Sequence, residues 1–315
     1  MNHMRVLLCG TNYGRSYLEA IRLGGTKYRL VGILARGSAR SQRTASEFGV
    51  PLFRSLDHLD REIDFACAAM GASGDEVVLG LLARNIHILC EHPVKHSRLQ
   101  LALAAAASRS LCFHINGHFA DLEAAAAFIH RARQESQVEL PAFFQVTATD
   151  RSLYAVLDIL GRILLSFQPL RLQVISQLAQ FCVVQGVLGG VPFLFQIQRS
   201  HDRLLLPDGS PHYLVDHRVA VVFPSGILTL LSMNGPVIWN ANLNCCKHLA
   251  GPLLTVVQED RRLTPDGLDR QRIAANLRAI EAAVADIREG VRPPEQQCNY
   301  LLELSRTWET LGSLL

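Results

Sequence analysis

The sequence predicts an α/β protein. An N-terminal Rossmann domain, with helices on both faces of a parallel sheet, precedes a C-terminal α+β domain built on an open, mainly antiparallel sheet. Three observations predict this. The first third of the 315 residues alternates short apolar runs with helical stretches. From about residue 140 the pattern changes to consecutive strands separated by turn residues. The length suggests about two domains at roughly 150 residues each. The expected division is 1–120 for the parallel-sheet domain and 121–315 for the antiparallel-sheet domain, the closing helices packing back on the N-terminal half.

The elements follow in order. Arg5–Cys9 (RVLLC) is a continuous apolar run, as a strand buried on both faces should be. A glycine-bounded turn leads into a helix over Ser16–Leu23, then a strand over Leu30–Leu34. A helix over Ser41–Phe48 is closed by Gly49. Strands at Ile63–Ala68, Ile86–Cys90 and Leu111–Ile115 alternate with helices at Asp75–Arg84, Ser97–Ala107 and Asp121–Gln134. Ala142–Thr149 reads as a strand and Tyr154–Leu165 as a helix. Five strands follow, at Leu172–Ser176, Phe181–Leu188, Val191–Gln198, Leu214–Phe223 and Ile227–Ser232, with turns such as Pro207-Asp208-Gly209 between them. Helices over Arg270–Arg288 and Gln296–Leu311, split by Pro293-Pro294, close the chain.

Composition narrows the function classes. Apolar residues make up 49% and charged residues 19%, against about 25% charged in an average soluble chain. Disorder, collagen and coiled coil are excluded. A net charge of +3 is too weak a bias for nucleic acid. Mean hydropathy is +0.16, yet the apolar stretches Leu99–Ala107 and Phe181–Phe195 are interrupted and fall short of the ~20 residues that span a bilayer. Met4–Gly10 is too short for a secretory apolar region. The expected location is the cytoplasm, with no membrane and no nucleic-acid partner. The eight cysteines are expected to be reduced. Cys9, Cys67, Cys90 and Cys112 lie in or beside apolar runs, and no CxxC spacing suggests a metal.

Residues Leu7–Tyr17 (LLCGTNYGRSY) place Gly10, Thr11, Asn12, Tyr13 and Gly14 between the first strand and its helix. Glycine is required there where backbone N–H groups approach a pyrophosphate at a helix N-terminus. The spacing is GxxxG, shorter than the full GxGxxG fingerprint. After the second strand, where an acidic residue usually meets a free ribose 2′-hydroxyl, the chain has Ala35-Arg36-Gly37-Ser38-Ala39-Arg40-Ser41. Arg36, Ser38 and Arg40 suit a 2′-phosphate, so the expected cofactor is NADP(H). A solvated loop capped by Ser38 is the alternative.

Glu91-His92-Pro93 follows the strand ending at Cys90, at the edge where doubly wound sheets bind ligands. A strand followed by Glu-Lys-Pro resembles the Gfo/Idh/MocA family of NAD(P)-dependent oxidoreductases. The His in place of Lys resembles its thiazolinyl imine reductase branch, which serves siderophore biosynthesis. So do Leu34–Ser41 (LARGSARS), Phe48–Phe53 (FGVPLF), Leu157–Gly161 (LDILG), Gly235–Trp239 (GPVIW) and Leu304–Trp308 (LSRTW). The resemblance implies hydride transfer from NADPH to the C=N carbon of a thiazoline carried by a nonribosomal peptide synthetase carrier domain. It also implies a homodimer through the open sheet, and a cofactor contact by Glu91, His92 and Pro93. Imidazole suits proton donation near neutral pH, so His92 is the first candidate acid.

Asn116 falls at the same sheet edge. The related reductases carry a Tyr where this chain has Phe119, which has no proton to give; His118 precedes it and is the second candidate acid. Asp158 and Tyr154 lie on one helix and are candidate substrate residues. Sugar dehydrogenases of the family often carry Asp and, four residues later, His; here that position is Arg162, so a helix ion pair is the alternative. The competing readings are another family dehydrogenase acting on a sugar-like alcohol, and a non-catalytic NADP-binding partner of a synthetase. Ser152 and the remaining histidines match neither GxSxG nor HExxH. Residues 201–213 read as a turn-rich loop.

Overall fold

The computed structural model describes residues 3–178, 180–199, 214–242, 252–258 and 263–315. In chain order the first elements are β1 (Met4–Cys9), α1 (Arg15–Leu23), β2 (Tyr28–Leu34), α2 (Ala39–Glu47), β3 (Leu52–Phe53), β4 (Phe65–Ala68), α3 (Asp75–Ala83), β5 (His87–Glu91), α4 (His96–Ala107) and β6 (Phe113–Asn116). There follow α5 (Glu123–Ser136), β7 (Phe143–Thr149), α6 (Leu153–Leu164), β8 (Leu170–Leu178), β9 (Phe181–Leu188), β10 (Val191–Gln198), β11 (Arg218–Phe223), β12 (Gly226–Leu230), β13 (Val237–Ala241), β14 (Leu254–Gln258), α7 (Pro265–Glu289) and α8 (Cys298–Gly312). Two compact units result. One comprises Met1–His118 and Asp269–Ser305, the other Phe119–Leu268 and Arg306–Leu315. Residues 269–305, in the half assigned from sequence to the second domain, thus group with the first.

The first unit holds a six-stranded sheet in the order β3-β2-β1-β4-β5-β6, every pair parallel. Residues Val6 to Cys9 of β1 are fully buried, which explains their unbroken apolar run. The strand order reverses beside β1, and in doubly wound sheets ligands bind beyond the strand C-termini at such a switch point. Ile280, Ala283 and Val284 of α7 share one core with Leu8, Tyr17, Phe65 and Leu89. The far segment is therefore built into the nucleotide unit by apolar burial.

The second unit holds an eight-stranded sheet in the order β14-β13-β12-β11-β7-β10-β9-β8. Its pairs are antiparallel except β7 with β10. Helix α5 packs on β12, β13, β14 and α6. The strand expected over Leu214–Phe223 begins only at Arg218, because Asp216 and His217 precede the ladder, the Asp216 carboxylate accepting the His217 N–H. Strands β3, β13 and β14 had no separate reading from sequence. β3 is two residues long, and β13 and β14 are five each, too short for a clear period. The Pro207-Asp208-Gly209 turn, the 201–213 loop and Cys245-Cys246 lie outside the described residues. Cys9, Cys67, Cys90, Cys112 and Cys182 are buried free thiols and Cys298 is exposed. Among the described residues no helix is long and apolar enough to cross a membrane.

Candidate active site

The turn after β1 is built for close backbone approach. Gly10 has φ +89°, which L side chains rarely adopt, and a Cβ there would strike the Ala69 carbonyl. A Cβ at Gly14 would strike the Gly10 carbonyl. Helix α1 starts after Gly14 with no side-chain cap and no acidic residue in its first turn, so its N-terminal N–H groups are left for an anion. Thr11 is buried, and Asn12 and Tyr13 are exposed. These residues fit a dinucleotide pyrophosphate.

At the C-terminal end of β2, the Ser38 side chain accepts from the Ser41 N–H at 3.3 Å and caps α2. Arg36 and Arg40 are both exposed. Arg40 donates to the Asn12 side chain at 3.0 Å, which ties this loop to the glycine turn. No acid occurs between Leu34 and Ser46.

The C-termini of β5 and β6 place Glu91 and Asn116 opposite each other in register. One Glu91 oxygen, Oε1, lies 3.3 Å from His92 Nδ1 and 3.5 Å from His118 Nδ1. The other, Oε2, accepts from the Tyr17 hydroxyl and, at 3.4 Å, from Asn116 Nδ2. The same Asn116 amide donates to Tyr17 Oη at 2.5 Å and to Asn276 Oδ1 at 2.6 Å. The His92 and His118 rings are 5.5 Å apart, and the Tyr13 ring is 6.0 Å from His118. Pro93 follows His92 through a cis peptide bond.

Electrostatics follow from this geometry. Burial acts to raise the Glu91 pKa; contact with His118, the charges of both histidines and the Tyr17 hydroxyl outweigh it and hold the carboxyl below its usual 4.5. The Tyr17 hydroxyl is pushed well above 10 by burial and by the Glu91 charge, so it stays a donor. His92 Nδ1 lies 2.6 Å from the Asn116 backbone oxygen. A carbonyl only accepts, so Nδ1 carries a proton and the transferable proton belongs to Nε2.

The structure thus brings together Glu91, His92, Asn116 and His118 in the first unit. Sequence reasoning missed Tyr17, one turn into α1, and Asn276 on α7. Both are polar side chains under 2% exposed, and a buried Asn on an otherwise apolar helix face was the available signal. Phe119, Tyr154 and Asp158 belong to the second unit. Phe119 is half-buried. Tyr154 is buried edge-on to Trp308, ring centroids 6.0 Å apart. Asp158 pairs with Arg162 at 3.0 Å, and Arg162 also holds Asp121 at 2.8 Å.

Among the described residues two clusters have donor atoms close enough to hold a metal ion. Glu91, His92 and His118 form one; Cys112, His114 and Asp286 form the other. In the second, Asp286 Oδ2 is occupied by His114 Nε2 at 2.9 Å and Arg292 Nε at 2.8 Å, a satisfied ion-pair network rather than an open site.

Residues 4–117 match the oxidoreductase family with an NAD-binding Rossmann fold, Gfo/Idh/MocA. Residues 139–240 match the C-terminal domain of Irp3-like thiazolinyl imine reductases. No curated protein matches the chain in sequence. A dehydrogenase from Chromobacterium violaceum shares the fold with a TM-score of 0.75 and 13% identity, over 100% of this chain and 96% of that one. An oxidoreductase from Agrobacterium radiobacter, solved with NAD+, L-tartaric acid and magnesium, gives 0.73 at 11% identity over 98% and 94%. The UDP-N-acetylglucosamine 3-dehydrogenase GnnA from Acidithiobacillus ferrooxidans gives 0.73 at 14% identity over 100% and 98%. The chain thus carries an N-terminal domain of the Gfo/Idh/MocA oxidoreductase family, followed over residues 139–240 by a segment of the thiazolinyl imine reductase C-terminal type.

Proposed function

We propose that the chain is an NADPH-dependent reductase that converts a thiazoline C=N bond to a thiazolidine on a carrier-tethered siderophore intermediate. The observation that carries this is the His92 imidazole, held by the Asn116 carbonyl and the Glu91 carboxylate where related dehydrogenases have a lysine. Gly10 to Gly14 would hold the pyrophosphate, and Arg36, Ser38 and Arg40 the 2′-phosphate. When bound, NADPH supplies hydride to the C=N carbon.

The chain's own residues manage the proton. Reduction of C=N forms one C–H and one N–H bond, so the nitrogen must take a proton as hydride arrives. In protonated His92 both ring nitrogens carry hydrogen, and Glu91 at 3.3 Å offsets the charge. Loss of the proton from Nε2 leaves the Nδ1–H to Asn116 intact, so no hydrogen bond must rearrange. His118, on the same carboxylate oxygen, is the second proton store. The Arg162 pairing with Asp158 supports imine over sugar chemistry, because an arginine cannot act as the base that alcohol oxidation needs.

The proposed partners are a carrier domain of a nonribosomal peptide synthetase and a second copy of the chain, in the cytoplasm. Ile175, Ile227, Leu254 and Val256 are exposed along the open sheet and support pairing there. The test is reduction of a 2-substituted thiazoline with 4-deuterated NADPH. One deuterium should appear on the former C=N carbon. Absence of thiazolidine, with NADPH bound, overturns the reading.

A further inference from the structure

Arg54 is the residue after β3. It had no place in the sequence-based site. In the fold its side chain lies over Gly37: a Cβ at that position would be 2.9 Å from Arg54 Nε and 3.2 Å from its Cζ. Gly37 stands between Arg36 and Ser38 and has φ +86°. The parallel register explains the placement. The Ala35 N–H donates to the Phe53 carbonyl at 3.0 Å, so the loops after β2 and β3 leave the sheet side by side.

Arg36 in the loop after β2, Arg40 in the first turn of α2 and Arg54 after β3 thus belong to neighbouring segments at this end of the sheet. Among the described residues none of them pairs with a carboxylate, and Arg40 has only the neutral Asn12 amide. Other exposed arginines of this unit divide: Arg15, Arg22 and Arg84 pair with Glu47, Glu19 and Asp57, while Arg109 meets only the neutral Asn85 side chain. Like charges left together on a surface repel unless an anion joins them. The anion that belongs at the end of the second strand of a doubly wound sheet is the one on the cofactor ribose.

We propose that Arg54 is a specificity-determining residue that binds the 2′-phosphate of NADP(H) through its guanidinium, with Gly37 kept free of a side chain so that it can lie there. The inference rests on the NADP reading given above and extends it to a residue outside the loop after β2. A glycine with φ +86° meets the turn and the guanidinium at once. Any larger residue at 37 would push Arg54 off the loop.

The test is direct binding, followed by the fluorescence of the reduced nicotinamide, with NADPH and NADH on the wild-type chain and on Arg54→Gln at one fixed low ionic strength. Wild type should bind NADPH more tightly than NADH. Arg54→Gln should weaken NADPH by about tenfold, the lower end for a hydrogen bond to a charged group in an exposed site, and leave NADH unchanged. Arg54→Lys, which keeps charge but loses the fork, should fall between. An unchanged NADPH affinity in Arg54→Gln, with wild type still preferring NADPH, overturns the role of Arg54 and leaves the NADP reading standing. Equal wild-type affinity for the two cofactors overturns the NADP reading itself. Equal weakening of both in Arg54→Gln also overturns the proposal, since Arg54 would then serve the common part of the dinucleotide. Arg54 is exposed, so the variants fold; thermal midpoints equal to wild type check this.

Discussion

The Asn116 backbone carbonyl accepts the Nδ1–H of His92 at 2.6 Å, and under the proposed reduction that contact leaves Nε2 as the nitrogen that would give the proton. A hydrogen bond of this length to a backbone group fixes both the ring orientation and the tautomer. The carbonyl sits where it does because Asn116 ends β6, its side chain held by Tyr17 and Asn276. The His92 ring is thereby oriented by sheet register and two buried amides.

Glu91 is the only carboxylate in the described cluster, and one of its oxygens lies 3.3 Å from His92 Nδ1 and 3.5 Å from His118 Nδ1. Glu91→Gln removes that charge while keeping the shape. Under the proposed reduction the carboxylate offsets the charge of the proton-giving imidazole, so Glu91→Gln should lower thiazoline turnover at neutral pH. His92→Ala should lose about 10²- to 10⁴-fold in turnover at neutral pH, with NADPH still bound, and the gap to wild type should narrow toward pH 9. The measurement is a pH–rate profile from 5 to 9 beside NADPH affinities. Wild-type turnover in His92→Ala would remove His92 as the acid.

A second prediction concerns stability against acid. Burial lowers the His114 pKa below 6.5, against the opposing pull of Asp286, and the histidine is nearly inaccessible. The unfolded chain therefore binds a proton near pH 6.5 that the folded chain resists. The stability contributed by neutral His114 is complete above pH 6.5 and is lost as pH falls toward its folded value. The residues facing it are Asp286, Arg292, Glu295 and Cys112. In His114→Gln that dependence is absent, so its thermal midpoint should approach the wild-type midpoint between pH 7 and pH 5. A constant gap across that range would show that His114 protonates equally in both states.

What the sequence reveals of this protein depends on whether a feature is local. The turn from Gly10 to Gly14 and the run Glu91-His92-Pro93 announce themselves because strand, turn and ligand groups are contiguous. Asn276 does not, because it meets Asn116 across 160 residues and only the shared core of α7 with the first sheet brings it there. Arg54 is hidden for the same reason: β3 is too short to read, and without its pairing to β2 nothing places Arg54 beside Gly37. The Asp158 and Arg162 pair was visible as a helix spacing, but its burial was not. That burial changes its energetics.

At an exposed helix position such a pair is worth a few tenths of a kcal/mol. Here the Asp158 and Arg162 side chains are only 5% and 8% exposed, and Arg162 also reaches Asp121. Removing one partner takes the facing counter-charge from a buried ion, a change that costs up to about 3–5 kcal/mol. Arg162→Met should therefore lower the urea midpoint sharply. Replacing both, as Arg162→Met with Asp158→Leu, removes the stranded charge and should recover most of the loss. If the double variant is as unstable as Arg162→Met, the pair is not what costs stability. The double variant also decides the role of Asp158: a restored fold with wild-type thiazoline turnover makes the pair structural. A restored fold with raised KM and intact NADPH binding assigns Asp158 to the substrate.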